Sequence, residues 1–144
     1  MNYKRGAFVK TSAPEGGFMT GYADNIEEKT LANEYFREVL YTGTYAQLVV
    51  MCLKAGEDIG IEVHKTVDQF FRFENGEGKV IINGEEHLVK NGYAVIVPAG
   101  AEHNVINTSQ TDSLKLYTIY SPPNHPPGTI HKTKAEAMAA EELH

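Results

Sequence analysis

The chain has 144 residues, of which 42% are hydrophobic and 22% are charged, and this is the size and composition of one globular domain with its own core. Its formal net charge of −6 and its lack of a basic cluster argue against a nucleic-acid partner. No stretch approaches the ~20 apolar residues of a membrane-spanning helix, and residues 1–5 lead into no signal-peptide hydrophobic region. We therefore expect a cytoplasmic protein without a membrane partner.

Residues 1–43 are predicted to form an N-terminal segment that covers the rest of the domain. The first part of this segment has little periodicity. Farther along, Leu31, Tyr35 and Val39 have the spacing of a helix, whereas residues 36–41 alternate like a strand. We favour the strand for this part of the segment.

Residues 44–120 contain short apolar or alternating runs separated by turn signals. Strands this short and this evenly spaced are typical of a β-sandwich or barrel. The strongest hairpin signal is Asn83-Gly84, which joins two of the runs. The predicted strands are 45–53, 59–64, 69–73, 78–82, 85–89, 93–97, 103–106 and 114–120.

Residues 121–144 are predicted to form a proline-rich tail followed by a short helix. The prolines stop regular structure, and Thr133 with Glu136 has the spacing of a capping box that opens a helix ending near Glu142. His125 and His131 lie in the proline-stiffened part. Such a segment presents its side chains rigidly, so these histidines either face the mouth of the barrel or belong to a plain surface tail.

The strand predicted at 59–64 carries two residues with metal-binding chemistry. Residues two apart on a strand point to the same face, so Glu62 and His64 project together. A carboxylate beside an imidazole suits a borderline divalent ion, and Gln69 on the next strand would add a carbonyl oxygen. His103 begins a later strand just after a Pro-x-Gly turn, which fixes where that strand starts.

The same strand has a second interpretation. Ile59, Ile61 and Val63 alternate with Glu62 and His64, and by itself this pattern buries the aliphatic side chains and leaves the polar pair in solvent with no ligand role. If the polar pair faces a pocket instead, the aliphatic face needs another cover. A second subunit or the N-terminal segment would supply it, and for this reason we expect a homodimer.

These two segments resemble the two conserved motifs of the cupin superfamily. The second motif of that family is a glycine, five residues, Pro-x-Gly, two residues, a histidine, three residues and an asparagine. Every position is matched here, by Gly92, Pro98, Gly100, His103 and Asn107. The first motif is matched in part: His64 stands at its second histidine and Gly76 completes its spacing, whereas Glu62 replaces its first histidine and Gln69 its glutamate.

The resemblance implies an all-β fold, a double-stranded β-helix or jelly-roll barrel, here with the short C-terminal helix. It also implies a pocket inside the barrel that holds one divalent metal ion (Zn, Ni, Mn or Fe) and a small-molecule ligand or substrate. The predicted metal ligands are Glu62, His64, Gln69 and His103, with Asp68 as an alternative to Gln69.

Other side chains are candidates for the pocket. Phe71 and Phe73 share a face with Gln69, so they line an apolar pocket if Gln69 points inward, although core packing alone would explain them equally well. Arg37 either reaches an anionic ligand or forms an ordinary exposed ion pair. Tyr93, Tyr117 and the two tail histidines are candidates for proton transfer, and the sequence does not select among them.

A divalent ion on one carboxylate and three neutral ligands keeps a net positive charge and open positions for substrate. If the chain is an enzyme, we therefore expect Lewis-acid chemistry of an isomerase or lyase type on a sugar or a hydroxy or oxo acid. Two alternatives remain open. One is an iron-dependent dioxygenase, because iron with open positions can activate dioxygen, and the other is a non-catalytic module that binds a small molecule.

Overall fold

Short alternating strands form two antiparallel sheets in this protein, whose computed structural model describes residues 20–142. The helices are α1 (Ile26–Ala32) and α2 (Lys134–Glu142). The strands are β1 (Arg37–Thr42), β2 (Gln47–Leu53), β3 (Glu62–Val63), β4 (Asp68–Asn75), β5 (Glu77–Ile82), β6 (Glu85–Lys90), β7 (Ala94–Val97), β8 (Glu102–Asn107), β9 (Leu114–Ser121) and β10 (Ile130–His131).

The order of strands within each sheet differs from their order in the chain. The six-stranded sheet has the order β10-β1-β2-β9-β4-β7, and the four-stranded sheet has the order β3-β8-β5-β6. Consecutive strands therefore often change sheets, as they do in a jelly roll. The prediction of an all-β double-stranded β-helix with a short C-terminal helix is confirmed.

The space between the sheets is apolar through most of its depth and polar in one layer. Fully burying one large aliphatic or aromatic side chain stabilises a fold by about 1.5–3 kcal/mol, and the fully buried apolar residues are Val49, Met51, Leu53, Phe71, Phe73, Val80, Val105, Leu114 and Leu116. In the polar layer, Gln47 pairs in register with Tyr120, and Tyr120 pairs with Gln69. All three are buried, and this layer adjoins the candidate site.

The N-terminal part of the described chain is a helix followed by a strand. Asn25 caps α1 because its Oδ1 accepts the Glu28 N–H at 3.0 Å. The strand that we favoured for residues 36–41 is present as β1 and begins at Arg37. β1 pairs with β2 on one side and with β10 on the other, so it belongs to the six-stranded sheet although it lies outside the range 44–120 that we assigned to the barrel. Residues 1–19 of the predicted covering segment lie outside the described residues.

The C-terminal tail returns to the barrel and ends in the predicted helix. β10 pairs with β1, and Lys134 at the start of α2 forms an ion pair with Asp58. Thr133 Oγ1 accepts the Glu136 N–H at 3.1 Å, as expected for a capping residue. Within residues 20–142, neither helix has the length and apolar character needed to cross a membrane.

Candidate metal centre

Two paired strands of the four-stranded sheet and the residue after β3 bring three potential ligands together. Glu62 on β3 stands opposite His103 on β8, and His64 follows β3 directly. The ligand atoms of these three residues all lie within 4.8 Å of one another. His64 Nε2 and Glu62 Oε1 are 3.2 Å apart. The predicted convergence of these side chains is therefore present in the fold.

The turn before β8 is fixed by three hydrogen bonds that backbone N–H groups donate, two to carbonyls and one to a carboxylate. The Gly100 N–H donates to the His64 carbonyl at 2.8 Å, and the Ala101 N–H donates to the Pro98 carbonyl at 3.1 Å. The Ala99 N–H donates to the Asp68 carboxylate at 2.9 Å. These bonds tie the Pro-x-Gly turn to the segment that carries His64, so one backbone network sets the position of both histidines.

The imidazole of His103 is held in one orientation by its own backbone. Its Nδ1 lies 3.1 Å from the Ala101 carbonyl, which can only accept a hydrogen bond, so Nδ1 carries the proton. The lone pair of Nε2 is then free to coordinate a metal, and a second hydrogen bond of this kind is a usual companion of metal-binding histidines.

Two nitrogens of this cluster, His64 Nε2 and His103 Nε2, are buried and have no hydrogen-bond partner. Gln69 Oε1 on β4 is likewise buried and unpartnered. His64 Nε2 lies near the Glu62 carboxylate, but the two do not adopt hydrogen-bond geometry. Two ligands bound at 2.0–2.2 Å to one ion stand about 3 Å apart at neighbouring positions. The distances and the unpartnered atoms therefore fit a divalent ion.

Gln69 is placed as the sequence predicted, inside the barrel on β4. Its side chain is buried, and Nε2 donates to Thr118 Oγ1 at 3.0 Å. This bond leaves Oε1 as the unpartnered carbonyl oxygen. Asp68 points to the opposite face, is exposed, and accepts the Ala99 N–H, so the structure gives it a turn-stabilising contact.

The position of Glu62 depends on a break in the strand's alternation. Gly60 has φ +108°, a conformation that side chains rarely adopt, and this bend lets Ile59 pack against the core while Glu62 also faces inward. Ile61 and Val63 then face outward, with exposed fractions of 71% and 46%. The interpretation that put Glu62 and His64 in solvent is wrong, because it assumed an unbroken strand from residue 59.

Asn104 on β8 holds this bend in place. Its Oδ1 accepts the Gly60 N–H at 2.9 Å, and its Nδ2 donates to Asp58 at 2.9 Å. Asp58 also pairs with Lys134 of α2. The side-chain amide thus connects β8, the approach to β3 and the C-terminal helix.

The carboxylate of Glu62 is the acidic group of the cluster. Burial raises its pKa, but the electrostatic interactions with the nearby His64, Arg37 and His103 outweigh burial, and the pKa is lowered overall. Glu62 is therefore ionised at neutral pH and supplies one negative charge to the site.

Tyr120 and His125 form a polar wall beside His64, and the sequence had not indicated Tyr120. The rings of His64 and Tyr120 meet edge to face with centroids 5.8 Å apart. His125 Nε2 lies 3.2 Å from the Tyr120 hydroxyl. Burial raises the pKa of Tyr120 and lowers the pKa of His125 to about 4, so both are neutral at pH 7.

Arg37 is buried beside this wall, so the alternative of an exposed ion pair is wrong. Its Nη1 donates to Nδ1 of His131 at 3.2 Å. Both tail histidines therefore contact buried polar residues of the barrel, as expected if the tail faces the site. The sequence did contain a signal for the burial of Arg37, because this residue occupies an inward position of an alternating strand.

Of four other predicted pocket and catalytic residues, the two phenylalanines lie at the cluster or in the core behind it, whereas the two tyrosines lie away from it. Phe71 contacts the site, with its ring centroid 6.3 Å from that of His103, and Phe73 stacks behind Phe71 within the core. Tyr93 is exposed beside β7. Tyr117 packs on Phe70, on the face of β9 that points away from the barrel interior. The fold does not bring these two tyrosines to the cluster.

Two other motif residues have structural contacts. Asn107 Nδ2 donates to the carbonyls of Leu53, Lys54 and Asp112 at 3.0, 3.1 and 2.9 Å. Gly76 has φ +97°, and a Cβ there would lie 2.5 Å from the Ser113 carbonyl oxygen. These positions therefore hold the barrel together at the end where β4 and β9 meet the adjoining loops.

Comparison with known proteins agrees with this geometry. A family model for the cupin domain matches residues 49–120. The chain belongs to the cupin family. The match includes all four predicted ligands, and it begins within β2 and ends within β9.

Two curated relatives and one solved structure are similar to this cupin. The Bacillus subtilis protein YrkC is 52% identical over 124 residues, which cover 82% of this chain and 66% of YrkC, slightly less than two thirds of that relative. Protein L612 of Acanthamoeba polyphaga mimivirus is 46% identical over 113 residues, which cover 76% of this chain and 70% of L612. The crystal structure of BH2720 from Bacillus halodurans is 46% identical, with a TM-score of 0.79, and covers 82% of this chain and 93% of BH2720.

Proposed function

We propose that this cupin binds one divalent metal ion through Glu62, His64, Gln69 and His103 and acts with it on a small molecule. The observation that carries the proposal is the convergence of buried, unpartnered acceptor atoms on one place. Buried polar atoms without partners are rare in folded proteins because each costs about 1–3 kcal/mol. Several at one place are accounted for if they share a ligand.

The residues around the proposed ion favour isomerase- or lyase-like chemistry on a sugar or a hydroxy or oxo acid. When bound, the ion would act as a Lewis acid that polarises a carbonyl or hydroxyl oxygen. Tyr120 holds its proton on Oη, and neutral His125, 3.2 Å away, can donate or accept one at Nε2. Of the four proton-transfer candidates, His125 is the one that contacts Tyr120 beside His64. We therefore assign proton transfer to His125.

The alternatives make different predictions about oxygen. A dioxygenase with iron at the same residues would consume dioxygen with its substrate, whereas an isomerase or lyase would turn over under nitrogen. A non-catalytic binding module would retain a ligand without turnover. Oxygen-electrode measurements with candidate sugars and hydroxy acids therefore separate the three functions.

Metal retention is the direct test of the site. The native protein, purified without chelators or an affinity tag, is expected to contain close to one Zn, Ni, Mn or Fe per chain by elemental analysis. His103→Ala is expected to remove this metal, because it removes one of the two imidazole ligands. His87→Ala is the matched control, since His87 lies away from the cluster with a side chain that is 42% exposed.

Two outcomes would contradict the site. One is a native protein with far less than one metal per chain that none of these ions restores. The other is a His103→Ala variant that keeps a full complement of metal. Circular dichroism of both variants checks that the β-rich fold is retained.

We also propose that the chain is a cytoplasmic homodimer. The support for the dimer is the exposed aliphatic pair Ile61 and Val63, which the bend at Gly60 turns outward from β3. A second copy would cover this pair, since exposed apolar patches commonly mark interaction sites.

A further inference from the structure

Arg37 is a buried cation without a carboxylate partner. The residue is 2% exposed, and its Nε is buried without any hydrogen-bond partner. Its Nη1 is bonded to neutral His131, and its guanidinium lies 5.2 Å from the centroid of the Phe36 ring. No ion pair joins it to an acidic side chain among residues 20–142. Because a buried unpaired charge is destabilising, packing alone does not account for an arginine here.

Arg37 faces the same interior as the candidate metal centre. It interacts with the side chain of Tyr120, whose ring meets that of His64 edge to face with centroids 5.8 Å apart. Glu62 is the one carboxylate of the cluster. A divalent ion there, together with the guanidinium of Arg37, would therefore leave an excess of positive charge in the barrel. This excess favours an anionic ligand.

We propose that Arg37 binds the carboxylate of a small 2-hydroxy or 2-oxo acid, whose adjacent oxygen faces the candidate metal centre. The inference rests on the proposed function and selects acids over neutral sugars as the substrate class. A guanidinium presents its N–H groups in a fork that matches a carboxylate. The same fork matches a phosphoryl group, so the choice of an acid rests on the adjacent hydroxyl or keto oxygen, which a simple phosphate monoester does not offer to the candidate metal centre.

A matched pair of probes tests the charge preference. Glycolate and glycolamide differ only in that glycolate has a carboxylate where glycolamide has a neutral amide. Isothermal titration calorimetry of the Zn²⁺-loaded protein measures the affinity for each. The wild type is expected to bind glycolate about tenfold or more tightly than glycolamide, which is the size of a charge-assisted hydrogen-bonded contact. Methyl phosphate is expected to bind more weakly than glycolate.

Two substitutions test whether Arg37 is responsible. Arg37→Met fills the same space without charge, so it is expected to lose the preference for glycolate, to keep the wild-type metal content and to raise the melting temperature. Arg37→Lys keeps the charge but not the fork, and it is expected to retain part of the preference. If Arg37→Met does not fold, the comparison of Arg37→Lys with the wild type decides, because an unchanged preference would overturn the role of the fork.

The outcomes distinguish this inference from the function on which it rests. Metal retention by a wild type that binds glycolate and glycolamide equally would overturn the role of Arg37 and leave the metal site standing. An Arg37-dependent preference for glycolate in a chain that retains no metal would support the anion site and contradict the proposed function. A preference that persists in Arg37→Met, or tighter binding of methyl phosphate, also overturns the inference.

Discussion

The hydrogen bond from His103 to the Ala101 carbonyl decides which nitrogen of the imidazole faces the barrel interior. A histidine at a strand start would otherwise be free to choose either tautomer. The second motif therefore contributes both the proposed ligand, His103, and the carbonyl that orients its ring. His64 Nε2 lies 3.2 Å from the Glu62 carboxylate and is the second imidazole nitrogen of the cluster.

The lowered pKa of His125 predicts that the folded protein loses stability in acid. Its pKa is lowered to about 4, first by burial and then by the charge of Arg37, whereas Glu62 opposes the shift and His131 and His64 reinforce it. Between pH 4 and 6.5 the unfolded chain thus binds more protons at this residue than the folded chain does. The stability that His125 contributes is complete above pH 6.5 and is lost as the pH falls towards 4, by about 3 kcal/mol in total.

Melting temperatures measured from pH 7 to pH 4 check this prediction. His125→Gln keeps a polar side chain beside Tyr120 but does not titrate, so its stability is expected to fall less over this range than that of the wild type. His87→Gln serves as the control, because the exposed His87 side chain is expected to leave the wild-type pH profile unchanged. Superimposable profiles for His125→Gln and the wild type would contradict the assignment.

At the scale of elements, the short strand β3 depends on its neighbours. Only two residues of it pair with β8, and the bend at Gly60 is held by the side chain of Asn104. Residues that orient ligands from outside the metal shell commonly change metal affinity by 10–100-fold when they are removed. The position of Glu62 is thus a property of this whole contact between β3 and β8.

Asn104→Ala tests that dependence. The substitution removes the acceptor of the Gly60 N–H and the donor to Asp58, so we expect a loss of about 1–3 kcal/mol of stability and a metal affinity at least about tenfold weaker. Competition with a chromophoric chelator measures the affinity. Asn91→Ala, at an exposed turn between β6 and β7, is the control. Wild-type affinity in Asn104→Ala would show that β3 is held without this side chain.

For the whole molecule, the exposed side chains of Ile61 and Val63 at β3 predict that two copies of the chain associate through this surface. The double substitution Ile61→Lys with Val63→Lys is expected to convert the proposed dimer into a monomer, because it places two charges in the proposed apolar contact. Light scattering after size-exclusion chromatography measures the mass. Tyr45→Lys is the control, since Tyr45 is 81% exposed on a loop before β2. A monomeric wild type, or a double variant that remains dimeric, would contradict the interface.

The sequence predicted the barrel well because its signals were local. Asn83-Gly84 and the runs between turns located the strands of the barrel, and the complete second motif located His103. Arg37 and Tyr120 could not be recognised as neighbours, because β1 and β9 lie on either side of β2 and the pairing of distant strands leaves no short-range pattern. Glu62 was ambiguous for a related reason, since the bend at Gly60 changes which residues share a face.

The side chain of Gln47 connects the barrel to the tail, with Oε1 accepting the N–H groups of Asn124 and His125 and Nε2 donating to the His125 carbonyl. Residues 49–120, which the family shares, include neither Gln47 nor the segment that it binds. A fragment cut to those limits would lose β1, β10 and the Gln47 amide that binds the tail. It would also lose Arg37 and its contact with His131. We therefore expect such a fragment to lack the proposed carboxylate-binding residue even if its metal ligands remain.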